Sequence, residues 1–387
     1  MRFLMLAAGY PPLRSAGLET GCQRLAHALG RRGHEVLILT QAARGKPPVE
    51  AESEGVEVHR VLKPLALGPL WGISFMFQVR HWMHRLSPRW DFALCHKLAL
   101  HSMVASEVCR KLGRPSASLL VNAGLFSDIR VLRDHKGGSL LLRRALATDG
   151  FFALSGVSKA ELEAHGIAPE RIHPFRYMVD IDRFRPSGDP GDHFLFIGRF
   201  HAQKNLPLLI EAFARAHATD SSVRLRLIGR GDEAERVRAL VEASPARSAI
   251  TIEDWTNDPA AAYQRAAAVV SSSDAEGLSN VSVEAAACGA PTILTRVSGV
   301  AEVLFPGHDS APEPAPATFA QGVGGLMVPT RDAEALAAAM LRLHRDPSLR
   351  RQLAAEARAN ALERFSEPVC VELFLRGAEA IIQGHRR

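Results

Sequence analysis

Short apolar runs alternate with amphipathic stretches along most of this 387-residue chain. Runs of that length are expected of parallel strands buried on both faces, with helices returning the chain between them. Residues 3–8 read as a first strand, 9–17 as a glycine-containing loop, 19–31 as a helix and 35–39 as a second strand, a β-α-β unit of the doubly wound kind. Further strands are expected at 56–61, 92–95, 117–121, 150–154 and 172–175, with helical patterns between them. A Pro/Gly-rich joint at 186–192 suggests a domain boundary, giving an N-terminal domain of residues 1–187 and a C-terminal domain of 188–366. Within the second, the pattern predicts a helix at 206–216 with apolar Leu209, Ile210, Phe213 and Ala214, and a buried parallel strand at 266–270. Helices at 332–345 and 347–364 close it, and a last helix, about 367–387, is expected to cross back onto the first domain. Residues 307–322, with Pro312, Pro314 and Pro316, read as a surface loop.

The densest chemistry lies after the strand at 266–270. Residues 271–279 form the loop at its C-terminal edge, where open α/β sheets bind ligands. Asn280 reads as the N-cap of a short helix ended by Gly289 and Pro291. Glu276 then lies in the loop and Glu284 one turn into the helix, while backbone N–H groups around Leu278, Ser279 and Asn280 offer a phosphate site. A carboxylate beside a phosphate site suits sugar hydroxyls, which donate to it. The implied ligand is a sugar nucleotide. Upstream, Arg199 and Lys204 bracket a turn after a strand, and two cations there suit the charge of a departing nucleoside diphosphate.

Asp274 to Pro291, with Glu276, Gly277, Asn280, Glu284, Gly289 and Pro291, resembles the E-x7-E signature of glycosyltransferase family four, and the segment from Phe196 to Asn205 resembles that family's strand-GR-loop-K segment. The resemblance is strong over the C-terminal half and weak over the N-terminal half. It implies an α/β protein of GT-B fold, two doubly wound Rossmann-like domains facing across a cleft, and a retaining transferase that moves a sugar from a nucleoside diphosphate sugar to an acceptor hydroxyl. It assigns Arg199 and Lys204 to the diphosphate, Glu284 to the nucleotide ribose and Glu276 to the transferred sugar. No metal or other cofactor is implied: Asp180-Ile181-Asp182 lies before the joint rather than beside the phosphate loops. A nucleotide-sugar epimerase of related fold and a binding protein that has lost catalysis are the rival readings.

Four further positions stay open. Trp255 either stacks on the base or packs in a core. Gly17, in Ser15-Ala16-Gly17-Leu18-Glu19, matches the family's glycine stretch and either approaches the diphosphate or only turns the chain. The family's usual histidine is replaced by Ala123, with Asn122 beside it as a source of a side-chain amide for the sugar. His96 matches another recurrent histidine and either serves catalysis or is a structural hydrogen-bonder.

Composition and charge narrow the partners. With 47% hydrophobic residues the chain builds large cores, and its five cysteines show no C-x-x-C pair or metal-ligand spacing, which fits a reducing cytoplasm. The apolar start is too short for a signal peptide. Residues 1–185 hold 26 Lys and Arg against 16 Asp and Glu, while 186–387 hold 21 against 25. The basic half either faces an anionic partner, a membrane surface or a phosphorylated saccharide or lipid-linked acceptor, or carries its excess as a solvated surface; the dispersed cations and lack of a recognisable module disfavour nucleic acid. Residues 70–86, with Phe75, Val79, Trp82 and Leu86 at helical spacing and Arg80, His81, His84 and Arg85 offset from them, form either a membrane-surface helix or a helix packed on its own sheet. The expected location is the cytoplasm, at the inner face of the cytoplasmic membrane.

Overall fold

A computed structural model describes every residue except 14–16, 125–126, 136, 189–190, 309 and 387, and the side chain of Pro69. The chain divides into unit 1, Met1–Met178 with Glu367–Arg387, and unit 2, Val179–Ser366.

Unit 1 is built on eight strands, β1 (Arg2–Leu6), β2 (Glu35–Gln41), β3 (Val49–Ser53), β4 (Val56–Leu62), β5 (Phe92–Cys95), β6 (Ser116–Leu120), β7 (Gly150–Ala153) and β8 (Ile172–Pro174), in the order β3-β4-β2-β1-β5-β6-β7-β8. All neighbours pair in parallel except β3 with β4. Its helices are α1 (Gly17–Arg31), α2 (Pro69–Arg85), α3 (Leu100–Leu112), α4 (Asp128–Arg133), α5 (Gly138–Ala145) and α6 (Gly156–Ala164). The order reverses at β1, so the loops leaving the paired C-terminal ends of β1 and β5 part and open a crevice. The apolar pattern shows why these segments are strands: Phe3 to Leu6 and Phe92 to Cys95 are buried throughout. Strand β3 was not visible in the sequence, because its exposed, charged alternation is that of an edge.

Unit 2 repeats the design with β9 (His193–Ile197), β10 (Arg224–Ile228), β11 (Ile250–Glu253), β12 (Ala266–Ser271), β13 (Thr292–Thr295), β14 (Ala320–Gly322) and β15 (Gly325–Val328), in the order β11-β10-β9-β12-β13-β15-β14. Its helices are α7 (Leu206–Thr219), α8 (Ala234–Glu242), α9 (Pro259–Gln264), α10 (Asn280–Ala287), α11 (Val300–Leu304), α12 (Ala333–Arg345) and α13 (Pro347–Phe365). One face of the sheet is covered by α7 and α12, whose Leu209, Phe213, Leu336 and Met340 are fully buried in a single core with Phe194, Leu227 and Ile293. Here the reversal falls between β9 and β12, the strands that precede the Arg199–Lys204 loop and the Glu276 loop.

The last helix, α14 (Glu367–His385), belongs to unit 1. Phe374 meets Phe3, Phe152 and Phe175 at ring-centroid distances of 5.7, 5.0 and 6.2 Å, and His385 Nδ1 lies 2.8 Å from Asp149 Oδ1.

Two expectations differ from what is seen. The units part between Met178 and Val179, ahead of the Pro/Gly-rich joint, because the intervening chain is bound to unit 2: Arg358 donates to the carbonyls of Ile181 (3.3 Å) and Phe184 (2.9 Å), and the Phe184 ring packs against Tyr263. The 307–322 segment is not a simple surface loop. It ends in β14, paired antiparallel with β15, and Arg296 holds the carbonyls of Ala311 and Pro312 at 3.3 and 2.9 Å.

Candidate functional site

In unit 2 the loops after β9 and β12 are joined by hydrogen bonds that begin in the backbone. The Asp274 N–H donates to the Gln203 carbonyl (2.9 Å), Gln203 Nε2 to the Ala275 carbonyl (2.6 Å), Asn205 Nδ2 to Asp274 Oδ1 (3.0 Å) and Ser272 Oγ to the Lys204 carbonyl (2.8 Å). Asn205 makes the turn. It sits at φ 46°, a left-handed conformation that asparagine tolerates, and caps α7 by accepting from Leu208 N–H. The polar run Ser271-Ser272-Ser273, directly after an apolar strand, is the sequence signal for this seam; its pairing across some seventy residues is not readable from sequence.

The seam brings Lys204 onto Glu276. Lys204 Nζ donates to Glu276 Oε1, with side chains 24% and 14% exposed, and Ser273 Oγ donates to the same oxygen at 2.9 Å. Removing one partner of a partly buried pair of this kind costs more than breaking a surface pair, because it leaves the other charge uncompensated. Ser298 Oγ donates to the Glu276 carbonyl. Gly299 carries the next loop across Gly277, where an added Cβ would stand 1.8 Å from the Gly277 carbonyl oxygen. Ser298 and Gly299 thus hold the glutamate loop from its far side.

Glu284 lies in α10 and its Oε2 accepts from the hydroxyl of buried Tyr263 at 3.3 Å. Tyr263, on α9, was not picked out from the sequence, which gives no hint that α9 and α10 lie together. The N-cap of α10 is Ser279 rather than Asn280. Ser279 has the extended backbone of a cap (φ −76°, ψ 114°) and its Oγ accepts from Ser282 N–H, while Asn280 is the first helical residue. Leu278 is buried, so it offers a ligand its backbone and not its side chain. Arg199, two residues beyond β9, is exposed and makes no hydrogen bond or ion pair among the described residues. Trp255 is 46% exposed, which excludes the core-packing reading. Asp180, of the Asp-x-Asp sequence, uses Oδ1 to accept from the N–H groups of Asp182 and Arg183, closing its own turn.

Unit 1 has a cavity of about 360 Å³ beyond β1 and β5, walled by Gly9, Leu18, Trp71, Phe75, His96 and His101 among others. His96 is 2% exposed and neither ring nitrogen makes a hydrogen bond among the described residues, so it is not the structural hydrogen-bonder of the alternative reading. Burial pushes its pKa down to about 3, and the nearby Leu18 backbone, outside hydrogen-bond geometry, offsets this only in part. His101 is pushed down to about 4, again chiefly by burial. Both imidazoles line the cavity and are neutral at ordinary pH, His96 with both ring nitrogens and His101 with its Nε2 lacking a hydrogen-bond partner among the described residues.

Gly17 opens α1; Ser15 and Ala16 lie outside the described residues. The preceding loop is anchored from the sheet edge, with Tyr10 donating to Glu52 Oε2 (2.5 Å) and buried Arg60 to the Pro11 carbonyl (2.9 Å). Asn122 has its side-chain amide tied to Asp128 through one hydrogen bond. Its Nδ2 donates to Asp128 Oδ1 at 3.1 Å, and Asp128, buried and raised in pKa by that burial, also accepts from the N–H groups of Val121 and Asn122 and faces Lys97 at 3.4 Å. Ala123 is buried beside this cluster.

Two Rossmann-like units with these strand orders are those of the GT-B fold. Residues 15–183 match the model of the family described as "Glycosyltransferase Family 4", and residues 191–346 that described as "Glycosyl transferases group 1". Among relatives, a D-inositol 3-phosphate glycosyltransferase of Pseudarthrobacter chlorophenolicus is 29% identical over 76% of this chain and 77% of its own. The lipopolysaccharide core biosynthesis glycosyltransferase LpsD of Rhizobium meliloti is 31% identical over 48% of this chain and 49% of its own. Among solved structures, Anabaena HepE in complex with UDP superposes with a TM-score of 0.74 at 17% identity, covering 97% of this chain and 99% of its own. Sucrose-phosphate synthase of Thermosynechococcus elongatus gives 0.75 at 20% identity, covering 97% of each chain. The chain belongs to glycosyltransferase family four and is a glycosyltransferase.

Proposed function

We propose that this enzyme transfers a sugar from a nucleoside diphosphate sugar to an acceptor hydroxyl with retention of anomeric configuration, using neither metal nor organic cofactor. The observation that carries the reading is the Lys204–Glu276 pair, held between the loops after β9 and β12, with Glu284 one turn into the helix α10 that follows. Lys204, Arg199 and the first N–H groups of α10 take the diphosphate. Ser273 and Lys204 both bond Glu276 Oε1, which fixes the carboxylate and leaves Oε2 to accept from a hydroxyl of the transferred sugar. Glu284, oriented by Tyr263, receives the ribose, and Trp255 the base. In the transfer the bond from the anomeric carbon to the phosphate oxygen breaks, the acceptor oxygen bonds that carbon, and the acceptor proton passes to the departing phosphate. The two glutamates therefore bind hydroxyls and are not an acid and nucleophile pair. His96, at the unit 1 cavity, serves the acceptor side.

The UDP and UDP-glucose complexes of HepE support a nucleotide-sugar donor. Relatives named for inositol phosphate and lipopolysaccharide core transfer support a saccharide or lipid-linked acceptor used in envelope or exopolysaccharide precursor synthesis. Among the described residues no helix is long and apolar enough to cross a membrane, and the reading places the enzyme in the cytoplasm, peripheral at the inner membrane face. Analysis of products from a panel of sugar nucleotides tests it. Free nucleoside diphosphate with a new α-configured glycoside from an α-linked donor is expected. An altered sugar nucleotide without release, or an inverted glycoside, would overturn it.

A further inference from the structure

We propose that Arg331 is a positioning residue of the donor site, holding Asp274 so that the Lys204 and Glu276 loops stay joined and cancelling a negative charge beside the diphosphate position. Among the described residues only three other than glycine adopt the left-handed backbone: Asn205, Ala317 and Arg331, at φ 46°, 58° and 60°. Two aspartates link them. Asn205 makes the turn after Lys204, and its Nδ2 donates to Asp274 Oδ1 at 3.0 Å. Arg331, beyond β15 and 57 residues from Asp274, grips both oxygens of that carboxylate, with Nε 3.3 Å from Oδ1 and an Nη 3.1 Å from Oδ2. Asp332, next in the chain, caps α12 by accepting from Ala335 N–H at 2.8 Å and takes the Ala317 N–H on its other oxygen, also at 2.8 Å. A left-handed residue that is neither glycine nor asparagine persists only where its surroundings hold it, and such residues gather at functional sites.

Stability gives no reason for an arginine at this position. Glycine adopts φ 60° without the steric penalty that a Cβ brings, and the Arg331 side chain is 69% exposed, where an ion pair adds little to folding. The donor site does give a reason. Asp274 adjoins Ser273, which bonds Glu276 Oε1, and its own N–H bonds the carbonyl of Gln203, the residue before Lys204, at 2.9 Å. Its side chain is only 18% exposed, so an unmet charge on it would oppose an anion drawn to Lys204. Asn205, a neutral amide, fixes one oxygen of Asp274 without offsetting its charge. The Arg331 guanidinium does both, because a fork of two charge-assisted hydrogen bonds sets the plane of the carboxylate as well as neutralising it. Through Asp274 that grip reaches the turn that carries Lys204 and the loop that carries Glu276. This role rests on the reading that Lys204 and Glu276 meet the donor.

The full chain is titrated with UDP and with GDP at low salt, and Tm is followed without and with nucleotide. Arg331→Gly is expected to leave the Tm of the free protein equal or raised, since the left-handed strain is relieved, while the Kd of the nucleotide that stabilises wild type rises about fivefold. Stability and binding thus part company, which a merely structural role would not produce. Arg331→Lys, which keeps the charge and loses the fork, should fall between the two. Adding Asp274→Asn to Arg331→Gly should recover part of the affinity, because the unmet charge is then gone. A lower Tm of the free Arg331→Gly protein with a proportionate loss of binding would overturn the proposal and make Arg331 a structural brace. Equal affinity of wild type and Arg331→Gly would overturn it while leaving the donor reading as it stands, whereas a wild type that neither nucleotide stabilises would overturn that reading and this role with it.

Discussion

His96 and His101 put a proton-linked limit on unit 1. Their folded pKa values, about 3 and about 4, lie below the ordinary 6.5 because burial disfavours the charged ring. The unfolded chain takes up protons that the folded one refuses, so the stability tied to these rings is complete above pH 6.5 and is lost as pH falls toward 4 and 3. Between pH 6.5 and 5 each buried ring is expected to cost about 2 kcal/mol. Urea unfolding at pH 7 and 5 checks this: replacing both by leucine should flatten the decline, and an equal decline in wild type and variant would contradict it. At this scale the sequence was legible where a motif named the residue. Lys204, Glu276 and Glu284 stood out by spacing, whereas Tyr263 and Ser298 reach the site only through folding, and nothing local distinguishes them from other polar residues. Asn122 carries a bond the sequence did not reveal, from its amide to Asp128.

Elements were legible in proportion to their burial. Strands such as β1, β5 and β12 are apolar end to end and their positions follow from composition alone; β3 alternates as an exposed edge does, and the short β14 hides inside a proline-bearing segment. The cap of α10 was displaced by one residue because Ser279 and Asn280 are both good caps, and only the backbone angles choose between them. Glycines set the loops that bear the chemistry. At Gly299 a Cβ would stand 1.8 Å from the Gly277 carbonyl oxygen and 2.9 Å from Leu278 Cα, whereas at Gly72, within α2, it would meet only Leu100 Cδ1 at 3.5 Å. Gly299→Ala is therefore expected to destabilise by about 1–3 kcal/mol and to raise the KM for donor. Gly72→Ala is expected to stabilise by about 0.5–1 kcal/mol. Denaturant midpoints for the two variants measure the contrast, and shifts of the same sign would contradict it.

For the molecule as a whole, the alternation of apolar runs disclosed two doubly wound units, but their limits depend on contacts that composition does not register. Arg358 claims residues 181–184 for unit 2, and Phe374 claims α14 for unit 1, from positions distant in sequence. The uneven charge was countable from the start. The central claim is that Lys204 and Glu284 belong to one donor site in unit 2, and thermal shift against nucleoside diphosphates and their sugars tests it most directly. A ligand at one hundred times its Kd stabilises by about 2.7 kcal/mol. One nucleoside diphosphate class should raise the Tm of wild type, and Lys204→Ala and Glu284→Ala should each abolish the rise; an equal rise in wild type and both variants would contradict the account.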